Sequence, residues 1–116
     1  MAAAERIDQT LAALADPVRR QVVELLRERP RRAGELAQLT GMSGPAMSRH
    51  LKVLRKSGIV DEARDEADSR VRLYRLEAAG LKGLDEWMAN LRGFWEERLE
   101  GFRQHAQAAA KRRDAS

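Results

Sequence analysis

The 116-residue chain carries 22 Lys+Arg against 18 Asp+Glu, a formal net charge of +4, with 43% hydrophobic and 34% charged residues. That size and apolar content suit one small domain, argue against a two-domain enzyme and lie far from the composition of disordered chains. The lack of cysteine excludes disulfides, thiolate metal sites, Cys nucleophiles and thiol redox switches. No secretory pattern or apolar run of membrane-spanning length is seen, so a cytoplasmic location with no membrane partner is expected.

Ile7, Leu11 and Leu14 recur at helical spacing in an Ala-rich stretch and predict a first helix over about 4–14. Asp16-Pro17 then reads as a helix start, because an Asp carboxylate accepts an orphan backbone N–H and Pro at the first position lacks a donor that would go unused. Val18, Val22, Leu25 and Leu26 form one face of a second helix that runs to about Arg29 and stops at Pro30. Glu35 to Leu39 is a short third helix closed by Gly41, with Arg32 and Ala33 poor caps at its start. Ser43 caps a fourth helix ending at Gly58, in which Met47, Leu51 and Leu54 face inward.

Ile59-Val60 and Val71 to Leu76 are β-compatible runs around a charged tip, Asp65 to Ser69. The last third reads as one long helix. Leu81, Leu84, Met88, Leu91, Trp95, Leu99 and Phe102 follow one another at intervals of three or four, Trp87 and Phe94 widen the stripe, and residues after about Arg103 are expected to fray. The expected fold is mostly α with a small β-hairpin: a single winged helix-turn-helix domain over 1–116. Its helix-turn-helix covers about 33–57, its wing about 59–76 and a long C-terminal dimerisation helix about 78–105.

Charge is segregated along the chain. Residues 43–58 carry Arg49, Lys52, Arg55 and Lys56 with no acid, whereas six acids face three bases over residues 77–100. On the fourth helix Pro45, Ser48, Arg49, Lys52 and Lys56 lie at i, i+3, i+4, i+7 and i+11, opposite the apolar face. A major groove would meet that surface: Arg49 matches guanine O6 and N7, Ser48 suits several bases, and Ser43, Gly44 and Pro45 let the helix N-terminus come close. Lys52, Lys56, Arg70 and Arg72 suit phosphates, with Arg75 also on the second strand. Asp65, Glu66 and Asp68 would be repelled by phosphate, so the apex is expected to stand clear of DNA. The plainer alternatives are a solvated basic helix face and a hairpin that only covers the core.

Ser48 and His50 sit about 200° apart on a helix and cannot form a nucleophile–base pair. No phosphate loop, zinc motif or hydrolase elbow is present, so no catalytic site is expected. His50 is expected to pack or bond to backbone, His105 to end the aromatic stripe, and Glu96, Glu97 and Glu100 to be solvated acids. The stripe is more apolar surface than so small a core can hide, which predicts a homodimer with Ile7, Leu11, Leu84, Trp87, Met88, Leu91, Phe94, Trp95, Leu99 and Phe102 at its interface. Monomeric packing of the stripe on the first helix is the alternative.

Leu14-Ala15-Asp16-Pro17-Val18-Arg19-Arg20, Gly34-Glu35-Leu36-Ala37, Ser43 through Leu54, Gly58-Ile59-Val60 and Arg72-Leu73-Tyr74-Arg75-Leu76 stand in an order and spacing that resembles the ArsR family of winged helix-turn-helix repressors. The likeness covers about residues 8–102, and Ser48-Arg49-His50-Leu51-Lys52-Val53-Leu54 is its most specific part. It implies a homodimer that binds double-stranded DNA at an operator and represses transcription. Metal sensors of that family often carry Cys-X-Cys where this chain has Ala37 and Leu39; another metal site uses Asp and His on the last helix, where no histidine stands between Leu81 and Gln104. The resemblance therefore implies the metal-independent, SdpR-like branch, with no cofactor and an unspecified inducer. Ser69 departs from the Gly that many members carry before the wing Arg, which puts the turn geometry in question. A protein-interaction module that keeps the winged scaffold without reading DNA is the alternative function.

Overall fold

A computed structural model describes residues 3–115, with seven elements in the order α1 (Ala3–Leu14), α2 (Pro17–Glu28), α3 (Ala33–Thr40), α4 (Gly44–Lys56), β1 (Val60–Arg64), β2 (Arg72–Leu76) and α5 (Ala78–Ala115). The chain divides into two compact units, Met1–Leu84 and Asp85–Ser116. In the first, Val22, Leu36, Met47, Leu51, Leu54 and Ile59 are almost wholly inaccessible, one or more from each of α2, α3 and α4 and the last from the turn into β1. Each such side chain contributes roughly 1.5–3 kcal/mol by leaving water. Three of the six belong to α4, so that helix is the most firmly seated element.

The Asp-Pro-Val-Arg-Arg segment joins α1 to α2 by serving both helix ends. Asp16 Oδ1 accepts from the Val18 and Arg19 N–H groups at 2.8 and 3.1 Å. Arg19 and Arg20 reach back to donate to the last carbonyls of α1, those of Ala12, Ala13 and Leu14, and to that of Ala15 just beyond it. Orphan donors of one helix and orphan acceptors of the other are thus satisfied within five residues.

Between α3 and α4, Gly41 takes φ +71°, and the Gly41 and Met42 N–H groups close the helix on Gln38 and Ala37 carbonyls. Gly58, at φ +82°, turns the chain from α4 into β1, and Gly80 lies against it so closely that a Cβ on Gly80 would collide with the Gly58 carbonyl. The start of α5 can therefore follow the wing only with glycine at position 80.

Several boundaries differ from the sequence expectation, among them the start of β2 at Arg72 rather than Val71. The third helix starts at Ala33 rather than Glu35, with no side-chain cap from Arg32. The second ends at Glu28, one residue early. The first strand continues from Val60 through Asp61, Glu62, Ala63 and Arg64, because pairing with β2 supports charged residues that show no strand signal by themselves. The tail after Arg103 is helical to Ala115, where Ala106, Ala108, Ala109 and Ala110 supply helix propensity and Arg112 and Arg113 suit the negative end of the dipole.

The two strands pair antiparallel, with Val60 opposite Leu76, Glu62 opposite Tyr74 and Arg64 opposite Arg72. A further bridge that the sequence did not announce sits on the outer edge of β2, where Arg31 and Tyr74 exchange both backbone hydrogen bonds at 3.0 and 2.8 Å. Arg31 is buried, and its guanidinium binds Glu28, Glu35 and the Leu25 carbonyl. A buried charge is tolerable only when paired in this way. It ties α2, α3 and the wing together at one point, and holds the Glu35 carboxyl below the usual carboxylate range, chiefly through its own hydrogen bond.

Candidate nucleic-acid interface

Ser43 Oγ accepts the Ala46 N–H at 3.2 Å and Gly44-Pro45 begin the helix, so the N-terminus of α4 is defined by its own side chains. All three residues are exposed, and space beside Gly44 is open. Ser48, Arg49, Lys52 and Lys56 are also exposed, on the side of α4 opposite Met47, Leu51 and Leu54. Among the described residues, Arg49, Lys52 and Lys56 make no ion pair or side-chain hydrogen bond. Three uncompensated cations thus project from a helix whose other side is immobilised in the core.

His50 lies on the flank of this face, half-buried, with Nδ1 3.3 Å from Arg19 Nη1. A guanidinium only donates, so Nδ1 is the accepting atom of this contact. The same Arg19 that closes α1 therefore also holds α4. The partner is a side chain rather than the backbone group expected for His50.

Asp16 is part of the same support. The Arg19 N–H, ahead of that of Val18, holds its carboxyl below the usual carboxylate range against the opposing effect of desolvation. A depressed folded value means stability that is complete above the unfolded value and lost as pH falls through the folded one. Asp16→Asn keeps a capping oxygen without the charge. The parent is expected to be more stable than this variant at neutral pH, with the gap closing once pH falls below the ordinary carboxylate range. Urea melts at a series of pH values check this, and a gap independent of pH would contradict it.

In the wing, Asp65 and Asp68 build the turn rather than point at a ligand. Asp65 Oδ1 accepts the Ala67 N–H at 2.7 Å and Asp68 Oδ1 the Arg70 N–H at 3.1 Å. Only glycines have positive φ among the described residues, so Ser69 fits without the left-handed conformation that would call for glycine. Arg70 is exposed but folded back on both oxygens of Asp68, and its guanidinium is the main reason that carboxyl is held low. Arg72 pairs with Glu62 at 3.2 Å and Arg75 with Asp61 at 3.5 Å. Arg70, Arg72 and Arg75 are thus each paired with an acid, unlike Arg49, Lys52 and Lys56 of α4.

Glu62 also forms an ion pair with Arg55, from the last turn of α4, at 3.1 Å. Sequence reasoning counted Arg55 only in the charge of its segment, and did not single out Arg64 or Glu62. The seven-residue offset from Ser48 to Arg55 was the available signal for Arg55, whereas Glu62 needed the strand register.

The apolar face of α5 stands in the open. Trp87, Met88, Leu91, Phe94, Trp95, Leu99 and Phe102 are between 41% (Leu91) and 75% (Phe102) exposed. Phe94 and Trp95 meet edge to face at 5.8 Å, and the Arg98 guanidinium lies 4.8 Å over the Phe94 ring. His105 lines the groove beside Phe94 and Phe102. On α1, Leu11 is 41% exposed and Ile7 half-buried, as is Leu84 on α5. Among the described residues no helix is long and apolar enough to cross a membrane, and no three His, Asp or Glu side chains gather as a metal-holding group.

Comparison with known proteins agrees with this arrangement. Residues 16–62 match the profile described as bacterial regulatory protein, arsR family. HTH-type transcriptional regulator Rv2034 of Mycobacterium tuberculosis is 39% identical over 97 residues, 84% of this chain and 85% of that protein. Transcriptional repressor SdpR of Bacillus subtilis is 27% identical over 72% of this chain and 90% of its own. A solution structure described as the homodimeric winged helix-turn-helix DNA-binding domain of Mb0332 from Mycobacterium bovis, a possible ArsR-family regulator, superposes with a TM-score of 0.58. It is 25% identical, over 83% of each chain. With α3 and α4 as its helix-turn-helix and β1 and β2 as its wing, the chain belongs to the ArsR family of bacterial transcriptional regulators.

Proposed function

We propose that the protein is a homodimeric repressor that occupies a pseudo-palindromic operator, with each copy laying α4 in a major groove. The observation that carries this reading is the exposed, unpaired cationic face of α4 opposite three buried apolar anchors. Arg49 and Ser48 read base edges, and Lys52, Lys56, Arg70 and Arg72 hold the backbone. Ser43, Gly44 and Pro45 form the close approach at the helix start. A two-fold pair sets its recognition helices about 34 Å apart, one turn of B-form DNA, so a two-fold protein calls for a two-fold site.

The exposed stripe of α5, together with Ile7 and Leu11 of α1, supplies the dimer contact. An apolar face of this extent left in water marks an interaction surface, and the Mb0332 domain is itself described as homodimeric. Titration of the protein with duplex from upstream of its own gene and with random duplex, at several salt concentrations, tests the proposal. Steep salt dependence with preference for the upstream duplex is expected. Failure to bind any duplex would reject DNA reading in favour of the protein-docking alternative.

A further inference from the structure

Between the last turn of α4 and the inner face of the wing lies an open cleft of about 310 Å³ lined by Arg55, Glu62, Ala63, Arg64 and Arg72. Three cations meet one acid there. Glu62 is 18% exposed at its side chain and holds Arg55 at 3.1 Å through one carboxylate oxygen and Arg72 at 3.2 Å through the other. Arg64, opposite Arg72 in the strand register, makes no ion pair among the described residues and donates to the Ser69 carbonyl at 3.2 Å. Arg55 stands seven residues from Ser48 and three from Lys52, so it continues their side of α4 toward the wing.

We propose that this cleft seats one backbone phosphate of the bound duplex, and that Glu62 is the built-in counter-anion with which that phosphate competes. The inference rests on the DNA-binding reading above and deepens it. The two guanidiniums are held side by side by a carboxylate that itself repels an arriving phosphate. Glu62 thus acts as a positioning residue with opposing effects: it aligns Arg55 and Arg72 but lowers the cleft from three positive charges to a net two. Fixed alignment helps where the duplex path matches the helix and wing together. On any duplex, the added negative charge weakens attraction. Glu62 is therefore a specificity determinant, restraining binding to random sequence more than binding to the operator.

Glu62→Gln removes the charge while leaving an amide oxygen to accept from one arginine. In the full chain it is expected to tighten binding to a random duplex of about 30 base pairs about threefold per copy, the scale of one unit charge a few Å from a phosphate in a water-like dielectric. The salt dependence should steepen between about 50 and 200 mM salt. Arg55→Ala, which leaves the wing strands intact, should weaken random and upstream duplexes alike and reduce the salt slope by about one per copy. Fluorescence anisotropy reads both, and circular dichroism confirms that each variant is folded. If the parent binds duplex but folded Glu62→Gln binds random duplex no more tightly, or Arg55→Ala leaves the slope unchanged, the phosphate seat is wrong and the DNA-binding reading stands. If the parent binds no duplex, the underlying reading fails.

Discussion

Arg49→Ala is expected to cost about 1–3 kcal/mol per half-site on the operator, the range for removing one bidentate hydrogen-bonded pairing with a base pair. Its effect on random duplex should be much smaller. Arg49 projects from a helix whose Met47, Leu51 and Leu54 are buried, and among the described residues nothing competes for its guanidinium. Its five donors are free to match a planar acceptor pair, and the backbone that carries it is held at one end by the Ser43 cap and at the middle by the Arg19–His50 link. Because Arg49 is exposed and unpaired, truncation leaves no orphaned buried partner, so stability should change little. Lys56→Ala provides the contrast: taking an ammonium away from a phosphate weakens binding to every sequence and flattens the salt slope. Operator and random-duplex titrations of the two variants separate the roles, and equal losses on both duplexes for Arg49→Ala would remove it as the reader of bases.

The elements that carry this site were also the most legible in the sequence. For α4, the cap at Ser43, the turn at Gly41, the apolar trio and the stop near Gly58 all act over a few residues, so local rules agree with the fold. The α3 start was less legible because Arg32 caps nothing. Its position follows from Arg31, which is paired with Tyr74 more than forty residues away. Asp61 and Glu62 carry no strand signal of their own because charged neighbours show no apolar alternation; they become strand through Arg75 and Arg72 on the partner strand. The same non-locality hid the cleft around Glu62, since its three arginines come from α4, β1 and β2. The tail misled in the other direction. Its charged end suggested fraying, yet a run of alanines needs no tertiary partner to favour helix.

Leu91→Glu is expected to convert the dimer to monomer, with the dissociation constant rising on the order of a thousandfold or more, about 4 kcal/mol. Leu91 is 41% exposed in the single chain, on a helix in which glutamate is a good former, so the monomer should tolerate the change. In the proposed seam the substitution acts twice, once in each copy. Uncovering the part of two leucines that the seam buries forfeits roughly 1–2.5 kcal/mol, and seating two like charges in their place adds desolvation and repulsion unless the seam opens. Separated copies would each keep α4 intact but lose the linkage that makes the second half-site an intramolecular event, so operator binding should weaken far more than binding to a single half-site duplex. Sedimentation equilibrium gives the assembly state, thermal unfolding shows whether the monomer remains folded, and titration with whole and half operators gives the functional consequence. A variant that stays dimeric at the parent's dissociation constant would place the interface elsewhere and leave the apolar face of α5 for a different partner.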